Sequence, residues 1–219
     1  MQTKIINDYE LSNFSQNGED GIIEFLACKL IKNNKFFVEL GCSYGLENNS
    51  TNLILNGWSG VGCDIPINIK YFMRLLKIIK PSGEVNLAGG KIDLNNINQI
   101  INQIINKNIS FFSIDIDSND FYILFEILKN NISPKIICVE YNSFLGKEPF
   151  VTKYYSDFKR YKFDSKRGLY FGASLEAWKI LLKKYNYKFL CVDSNGVNAF
   201  FILPKFFDKS ISEYKGLDF

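Results

Sequence analysis

Short apolar runs alternate with longer amphipathic segments along most of the chain. The runs are rich in β-branched and aromatic residues and are apolar on both faces, which is typical of parallel strands covered by helices. The clearest runs lie at residues 35–40, 58–65, 110–116 and 135–141, and helical patterns occupy residues 20–32, 67–80 and 95–107. This order predicts an α/β fold with a doubly wound sheet.

The pattern changes near the C-terminus. A helical segment at residues 175–185 precedes two strand patterns, at residues 187–192 and 197–203, which only a short turn separates. A parallel return would need a crossover of about a dozen residues. We therefore expect these two strands to be antiparallel neighbours.

No linker divides the chain, so we expect a single domain over residues 1–219. Residues 1–34 are expected to form an N-terminal cap that contains the first helix. Residues 142–172 form a long, poorly periodic stretch rich in Tyr, Phe, Lys and Arg. Loops of this length within a domain are usually functional, so we expect a substrate loop or insertion there.

The sequence contains no histidine. This excludes nucleophilic machinery that depends on imidazole, zinc sites with histidine ligands and imidazole general bases. Any proton transfer must use Asp, Glu, Lys, Tyr, Cys or metal-bound water.

The net charge and the cysteine content indicate which partners and which cellular compartment to expect. The 26 basic and 23 acidic side chains give a net charge of +3, and the five cysteines form no CxxC pair. This indicates no nucleic-acid partner and reduced thiols. No stretch approaches about 18 consecutive apolar residues. We expect a cytoplasmic protein without an integral membrane segment, and peripheral membrane contact stays open.

An acid and two glycines follow the first strand pattern. The sequence ELGCSYG, from Glu39 to Gly45, has the spacing ExGxxxG, with its first glycine at Gly41. Such glycines let backbone N–H groups approach a ligand at the carboxyl edge of a sheet, and the acid can pair with a cationic amino group. The spacing differs from the GxGxxG of dinucleotide binders. A plain strand-to-helix turn is the alternative.

Asp64 ends the second clear strand pattern, 25 residues after Glu39. An acid in this place can accept both hydroxyls of a ribose. It can equally cap the helix that follows Pro66. Together with the glycine turn, Asp64 favours nucleoside binding.

Three further acids stand at the ends of strand patterns. Asp115 and Asp117 end the third run, and Glu140 ends the fourth. Three carboxylates without a histidine suit a hard cation such as Mg²⁺ and argue against zinc. Asp117 or Ser118 can instead cap the helix that begins near Asp120.

Two polar segments have two interpretations each. Residues 15–20, SQNGED, place Gln16 and its neighbours before the first helix, where they either cap the helix or contact a ligand. Residues 153–167 contain many Lys, Arg and aromatic residues. They form either a packed surface loop or a platform for an anionic substrate.

Six blocks of the sequence resemble, in order, those of FkbM-type class I S-adenosylmethionine-dependent methyltransferases. They extend from Ser15 to Phe201 and read SQNGEDGIIEFL, FFVELGCSYGLENNSTNLILNGWSGVGCDI, FFSIDIDSND, IICVEYN, YFGASLEAW and GVNAFF. The resemblance implies a Rossmann-like, seven-stranded, mostly parallel sheet whose last strand is antiparallel.

The resemblance also implies roles for residues. Glu39, Gly41 and Gly45 are expected around the methionine part of S-adenosylmethionine, Asp64 at its ribose and Asp93 at its adenine. Gln16 and Asp115 complete the expected cofactor site. Asp115, Asp117 and Glu140 are similar in position to the acids of metal-dependent sugar O-methyltransferases, which implies catalytic roles and a bound Mg²⁺.

The implied function is O-methylation of a small sugar-like acceptor in surface-glycan or natural-product biosynthesis, and a nucleotide- or phosphate-linked acceptor stays open. Two alternatives remain. Asp115-Ile116-Asp117 is formally the DxD motif of metal-dependent nucleotide-sugar glycosyltransferases. The chain could also be a non-catalytic S-adenosylmethionine-binding module. A homo-oligomer is compatible with each of these functions.

Overall fold

A seven-stranded sheet is the central element of the structure, a computed structural model that describes residues 4–30, 34–117, 119–163, 167–206 and 214–218. The strands of this sheet are β2 (Phe36–Leu40), β3 (Ser59–Asp64), β4 (Val85–Gly89), β5 (Phe111–Ile114), β6 (Ile136–Glu140), β7 (Lys188–Val192) and β8 (Asn198–Ile202). A separate parallel pair joins β1 (Lys4–Ile5) to β9 (Tyr214–Lys215).

Helices connect the strands. They are α1 (Glu19–Leu30), α2 (Thr51–Leu55), α3 (Pro66–Ile79), α4 (Ile97–Ile104), α5 (Asp120–Lys129), α6 (Arg160–Phe163) and α7 (Leu175–Lys184), with short 3₁₀ turns at Ile6–Tyr9, Ser143–Leu145 and Pro204–Phe206. None of the helices in the described ranges is long and apolar enough to cross a membrane.

The strand order is β4-β3-β2-β5-β6-β8-β7. Every neighbouring pair is parallel except β6–β8 and β7–β8, so β8 alone runs against the other strands of this sheet. The predicted mostly parallel sheet with an antiparallel last strand is confirmed.

Apolar side chains cover both faces of the sheet. In β2, Val38 and Leu40 belong to one buried cluster while Phe37 belongs to the other, and β5 divides in the same way between Phe112 and Phe111. Because successive side chains of a strand point to opposite faces, strands buried on both sides must be apolar throughout. This packing explains the continuous apolar runs of the sequence.

Strand β5 is shorter than the sequence predicts. It ends at Ile114, and Asp117 has a φ of +57°. A residue in the left-handed region cannot continue a strand. Asp115 and Asp117 therefore lie in the turn after β5, and not on an extended strand.

Some predicted features fall outside the described residues. These are positions 31–32 of the first helical pattern, Ser118 as a helix cap, and residues 164–166 of the long loop.

One carboxylate, that of Asp20 in α1, organises the loop before this helix. Its Oδ2 accepts the backbone N–H groups of Asn13 at 2.9 Å, Phe14 at 2.6 Å and Ser15 at 2.9 Å. In return, Ser15 Oγ accepts the N–H of Asp20 at 2.9 Å. Both side chains are buried. These hydrogen bonds fix the loop at Ser15. The next residue, Gln16, lines a large cleft at the edge of the sheet.

We expect Asp20→Ala to lower the free energy of unfolding by about 3 kcal/mol, because three N–H groups lose a charged acceptor. Urea denaturation measures the change. Asp8→Ala, which removes an exposed acid from the neighbouring 3₁₀ turn, should stay within about 0.5 kcal/mol of the wild type. A loss below about 1 kcal/mol in Asp20→Ala would mean that other contacts hold the loop.

Candidate functional site

A cleft of about 810 Å³ opens at the carboxyl ends of β2, β3, β5 and β6. Ligand sites in open α/β sheets occur at this edge, and the volume lies within the usual range for small-molecule sites. Most of the residues that the sequence predicts for the site line this cleft: Gln16, Glu39, Gly41, Asp64, Asp115, Asp117 and Glu140. Gly45 and Asp93 are not part of its lining.

Glu39 is a buried acid near the end of β2, with only 3% of its surface exposed. Its Oε1 accepts the N–H of Asn49 at 2.8 Å, while Oε2 has no hydrogen-bond partner among the described residues. Burial raises the pKa of Glu39 to about 7, hydrogen bonds from Ser50 and Asn49 oppose the shift, and the charge of Asp115 adds to it. A buried carboxylate oxygen without a partner is costly unless a cationic group pairs with it.

Gly41 lets the turns after β2 and β5 meet. It has a φ of +88°, and a Cβ at this position would lie 1.6 Å from the backbone oxygen of Asp115. Its N–H donates to the carbonyl of Cys63 at 2.8 Å. No other residue fits here without moving the Asp115 turn, so Gly41 sets the distance between two walls of the cleft.

Gly45 packs away from the cleft, against α3. A Cβ there would lie 2.4 Å from Cδ2 of Phe72, and the φ of Gly45 is +87°. Its carbonyl accepts the hydroxyl of Thr51 at 2.8 Å. The second glycine of the ExGxxxG turn therefore serves packing against α3, and the structure does not bring it to the cleft.

Asp64 lines the cleft and also holds its own surroundings. Its Oδ2 accepts the N–H of Ser43 at 2.6 Å, and its Oδ1 accepts the N–H of Ile65 at 2.6 Å and the amide of Asn68 at 2.8 Å. The N-cap of α3 is Ile65 and no side chain caps this helix, so the prediction that Asp64 caps it is wrong. The ligand contact stays a prediction. Oδ2 keeps an acceptor position for a ligand hydroxyl.

Asp93 is not part of the cleft lining, and one oxygen of its carboxylate accepts hydrogen bonds from its own turn. Oδ1 accepts the N–H groups of Asn95 at 2.9 Å and Asn96 at 3.3 Å, just before α4. The neighbouring Ile92 lines the cleft in its place, as does Ile65 after β3.

Asp115, Asp117 and Glu140 come together as the sequence predicts. Each offers a carboxylate oxygen, and these oxygens lie within 4.8 Å of one another. Asp115 is exposed to solvent in the cleft. Partial desolvation of its carboxylate raises the pKa of Asp115 to about 7, and the charges of Asp120 and Asp117 add to the shift. Burial, followed by the charge of Asp115, also raises the pKa of Glu140 well above its usual value.

Arg160 of α6 connects the long loop to this cluster. Its Nη1 donates to Oδ1 of Asp117 at 3.0 Å, its Nε donates to the carbonyl of Gly168 at 2.7 Å, and its guanidinium lies 3.7 Å from the ring centroid of Phe171. The Asp117 side chain is 70% exposed. A solvent-exposed ion pair contributes about 0.2–1 kcal/mol to stability. Another cation can therefore easily replace Arg160 at Asp117.

Sequence reasoning missed several residues of the lining. Asn49 supplies the N–H for Glu39, and its side-chain amide donates to Ser113 Oγ at 2.9 Å. Its signal was a polar residue soon after the glycine turn. Phe158 and Tyr161 reach the cleft from the long loop, and only their place in an aromatic stretch pointed to them.

Acidic side chains outnumber basic ones around the cleft. The acidic lining residues are Glu19, Glu39, Glu47, Asp64, Asp115, Asp117 and Glu140, and the basic ones are Lys91 and Arg160. Lys153, Lys159 and Arg167, which the sequence offered as an anion platform, are not part of the lining. The cleft therefore attracts cationic groups more strongly than anions.

Three solved structures have a similar fold. They are magnesium protoporphyrin IX methyltransferase from Synechocystis PCC 6803 with bound S-adenosylhomocysteine (TM-score 0.55, 10% identity, 84% of this chain and 79% of that one), the O-methyltransferase TomG from Streptomyces achromogenes in complex with S-adenosylmethionine (0.54, 11%, 88% and 83%), and an O-methyltransferase from Bacillus cereus in complex with S-adenosylhomocysteine (0.51, 14%, 89% and 81%).

No protein-family model and no curated relative matches the chain. What it shares with the three solved structures is the arrangement of the sheet and its helices. The chain therefore has the Rossmann-like fold of class I S-adenosylmethionine-dependent methyltransferases.

Proposed function

We propose that this protein is an S-adenosylmethionine-dependent O-methyltransferase of the FkbM type. Its acceptor is a small, hydroxyl-rich, sugar-like molecule of surface-glycan or natural-product biosynthesis. One observation carries the proposal: the buried Glu39, with an unpartnered oxygen, shares a cleft with the Asp115 and Glu140 carboxylates in a methyltransferase fold.

The residues present fit the cofactor. Glu39 is suited to bind the ammonium group of its methionine part, and Gly41 leaves the adjoining backbone open to it. Asp64 retains an acceptor position for a ribose hydroxyl. Since Asp93 is not part of the cleft lining, we assign the adenine to the apolar residues Ile65 and Ile92 of the lining.

Asp115 is the general base that removes the proton from the acceptor hydroxyl. When bound, S-adenosylmethionine supplies an electrophilic methyl group, and the acceptor oxygen must lose its proton during the transfer. A carboxylate with a pKa near 7 is well matched to accept that proton at neutral pH. Glu140, beside it, can accept a second hydroxyl and orient the acceptor.

The three carboxylates are also the type of ligand that suits a metal ion, because Mg²⁺ prefers oxygen ligands. Asp115, Asp117 and Glu140 would hold the ion, and Asp117 would then leave Arg160. Bound Mg²⁺ would lower the pKa of the acceptor hydroxyl.

The charge of the cleft favours a neutral acceptor over a phosphate-linked one. Acids dominate the lining, and the contacts of Arg160 to Asp117 and Gly168 already use part of its guanidinium. Phe158 and Tyr161 offer aromatic surface for the apolar face of a sugar ring. We therefore propose that the acceptor is a neutral sugar and not a phosphate-linked one.

Thermal-shift titration tests the cofactor class. S-adenosylhomocysteine should raise the melting temperature, because it binds the folded state alone. UDP or GDP with Mn²⁺ should not. Stabilisation by the nucleotide diphosphate only would contradict the proposal and support the glycosyltransferase alternative.

We expect Asp115→Asn to abolish methyl transfer while it leaves the affinity for S-adenosylhomocysteine within about threefold, because the amide cannot accept the proton. Transfer of a tritiated methyl group to a panel of monosaccharides and nucleotide sugars measures turnover, and calorimetry measures affinity. Unchanged turnover would remove Asp115 from the reaction. A wild-type protein inactive with every acceptor would support the binding-module alternative.

The same assay separates the two forms of the proton-transfer step. Turnover that persists in EDTA assigns the proton to Asp115 without a metal. Turnover that is lost in EDTA and restored by Mg²⁺ assigns an ion to Asp115, Asp117 and Glu140.

Cofactor affinity should depend on pH through Glu39. Its raised pKa means that the carboxylate is ionised above about pH 7 and protonated below it. Only the ionised form pairs with an ammonium group, so the affinity for S-adenosylhomocysteine should be about tenfold lower at about pH 6 than at about pH 8. Calorimetry at both pH values measures this. Glu39→Gln should bind weakly and without this pH dependence, and an equal dependence in that variant would assign the titration to another group.

A further inference from the structure

The outward face of α3 combines exposed apolar side chains with cations. Ile69 and Phe72 bury the inner face of this helix. On the other side Ile67, Tyr71 and Ile78 are about half exposed or more, and Ile78 reaches 76%. Exposed apolar residues in a row along one helix mark an interaction surface.

A groove of about 350 Å³ runs along the same helix, at the edge of the sheet beside β4. Its apolar floor is formed by Pro66, Ile69 and Met73, and its cations are Lys70, Arg74 and Lys77. Apolar surface and positive charge therefore lie side by side on one element.

The positive charge of this face is not balanced locally. The sequence of α3 contains no acid, and within the described ranges none of its three cations forms an ion pair. Arg74 instead lies 5.5 Å from the ring centroid of the exposed Tyr71. The whole protein has a net charge of only +3, so this face carries a local field that the total charge does not reveal.

We propose that the α3 face binds an anionic lipid surface. Lys70, Arg74 and Lys77 contact the phosphates, and Ile67, Tyr71, Met73 and Ile78 enter the boundary between headgroups and acyl chains. Exposed apolar side chains beside basic ones suit a helix for contact with an anionic membrane surface.

The spread of the apolar residues favours lipid over an acidic protein. Ile67 and Ile78 lie near opposite ends of a helix roughly 21 Å long. An acidic peptide in the groove would satisfy the cations and leave these two ends in water. A lipid surface covers the whole length at once.

Co-sedimentation with vesicles tests the proposal. The wild-type protein should bind phosphatidylcholine vesicles that contain about 30% phosphatidylserine and should not bind pure phosphatidylcholine. Each cation near the surface is worth about a fivefold change in affinity, so Arg74→Ala/Lys77→Ala should bind about 25-fold more weakly. The matched control, Lys183→Ala/Lys184→Ala at the end of α7, removes the same charge from another helix and should bind as the wild type does.

A second pair of variants tests the apolar contribution. Ile67→Ser/Ile78→Ser should weaken vesicle binding, whereas Ile180→Ser, at an exposed position of α7, should not. All variants should keep the wild-type melting temperature, because the changed residues are exposed. They should also keep the wild-type affinity for S-adenosylhomocysteine, because these residues lie outside the cleft lining.

Three results would overturn the proposal. The first is that the wild-type protein does not bind anionic vesicles. The second is that the α7 control loses as much vesicle affinity as the α3 variant, which would mean that only the net charge of the protein matters. The third is a serine variant that binds vesicles as tightly as the wild type, which would show that the apolar side chains do not enter the membrane boundary. None of these readouts depends on methyl transfer, so they stand apart from the test of the proposed function.

Discussion

The cleft depends on the close contact between the turns that follow β2 and β5. These strands are parallel neighbours, so their carboxyl ends meet at one edge. The N–H of Asp115 donates to the carbonyl of Leu40 at 2.9 Å, and the absence of a side chain at Gly41 lets the backbone of Asp115 pass against it. This contact places the carboxylate of Glu39 and that of Asp115 in one site. Without it, the two carboxylates would lie in separate places.

Gathering so many carboxylates in one cleft has an electrostatic consequence. Glu39, Asp115 and Glu140 are harder to ionise than they would be in water, because burial and like charges both favour the protonated form. The raised pKa values of Glu39 and Asp115 have this origin. A cationic ligand would relieve the repulsion, and this supports the proposed cofactor, which carries an ammonium and a sulfonium group. The site is therefore shaped by charge as much as by volume.

The sequence predicted the sheet better than the details of the site. Strands buried on both faces give continuous apolar runs, and these were recognised. The edge strand β4 is only partly buried and reads as VNLAG, so it has no such run and was missed. Asp93 has the right residue type, but only coordinates show that its carboxylate serves its own turn. The pairing of Arg160 with Asp117 joins residues 43 positions apart, for which one sequence contains no signal.

The cleft is lined partly by the strand ends of the sheet and partly by the long loop, and these two parts can change independently in evolution. The proposed cofactor residues stand on strand ends that the buried core fixes, whereas Phe158, Arg160 and Tyr161 come from a loop joined to the cluster by an open ion pair. If the proposed function holds, changes in this one surface segment would alter the choice of acceptor, while the residues proposed to hold the methyl donor would stay the same.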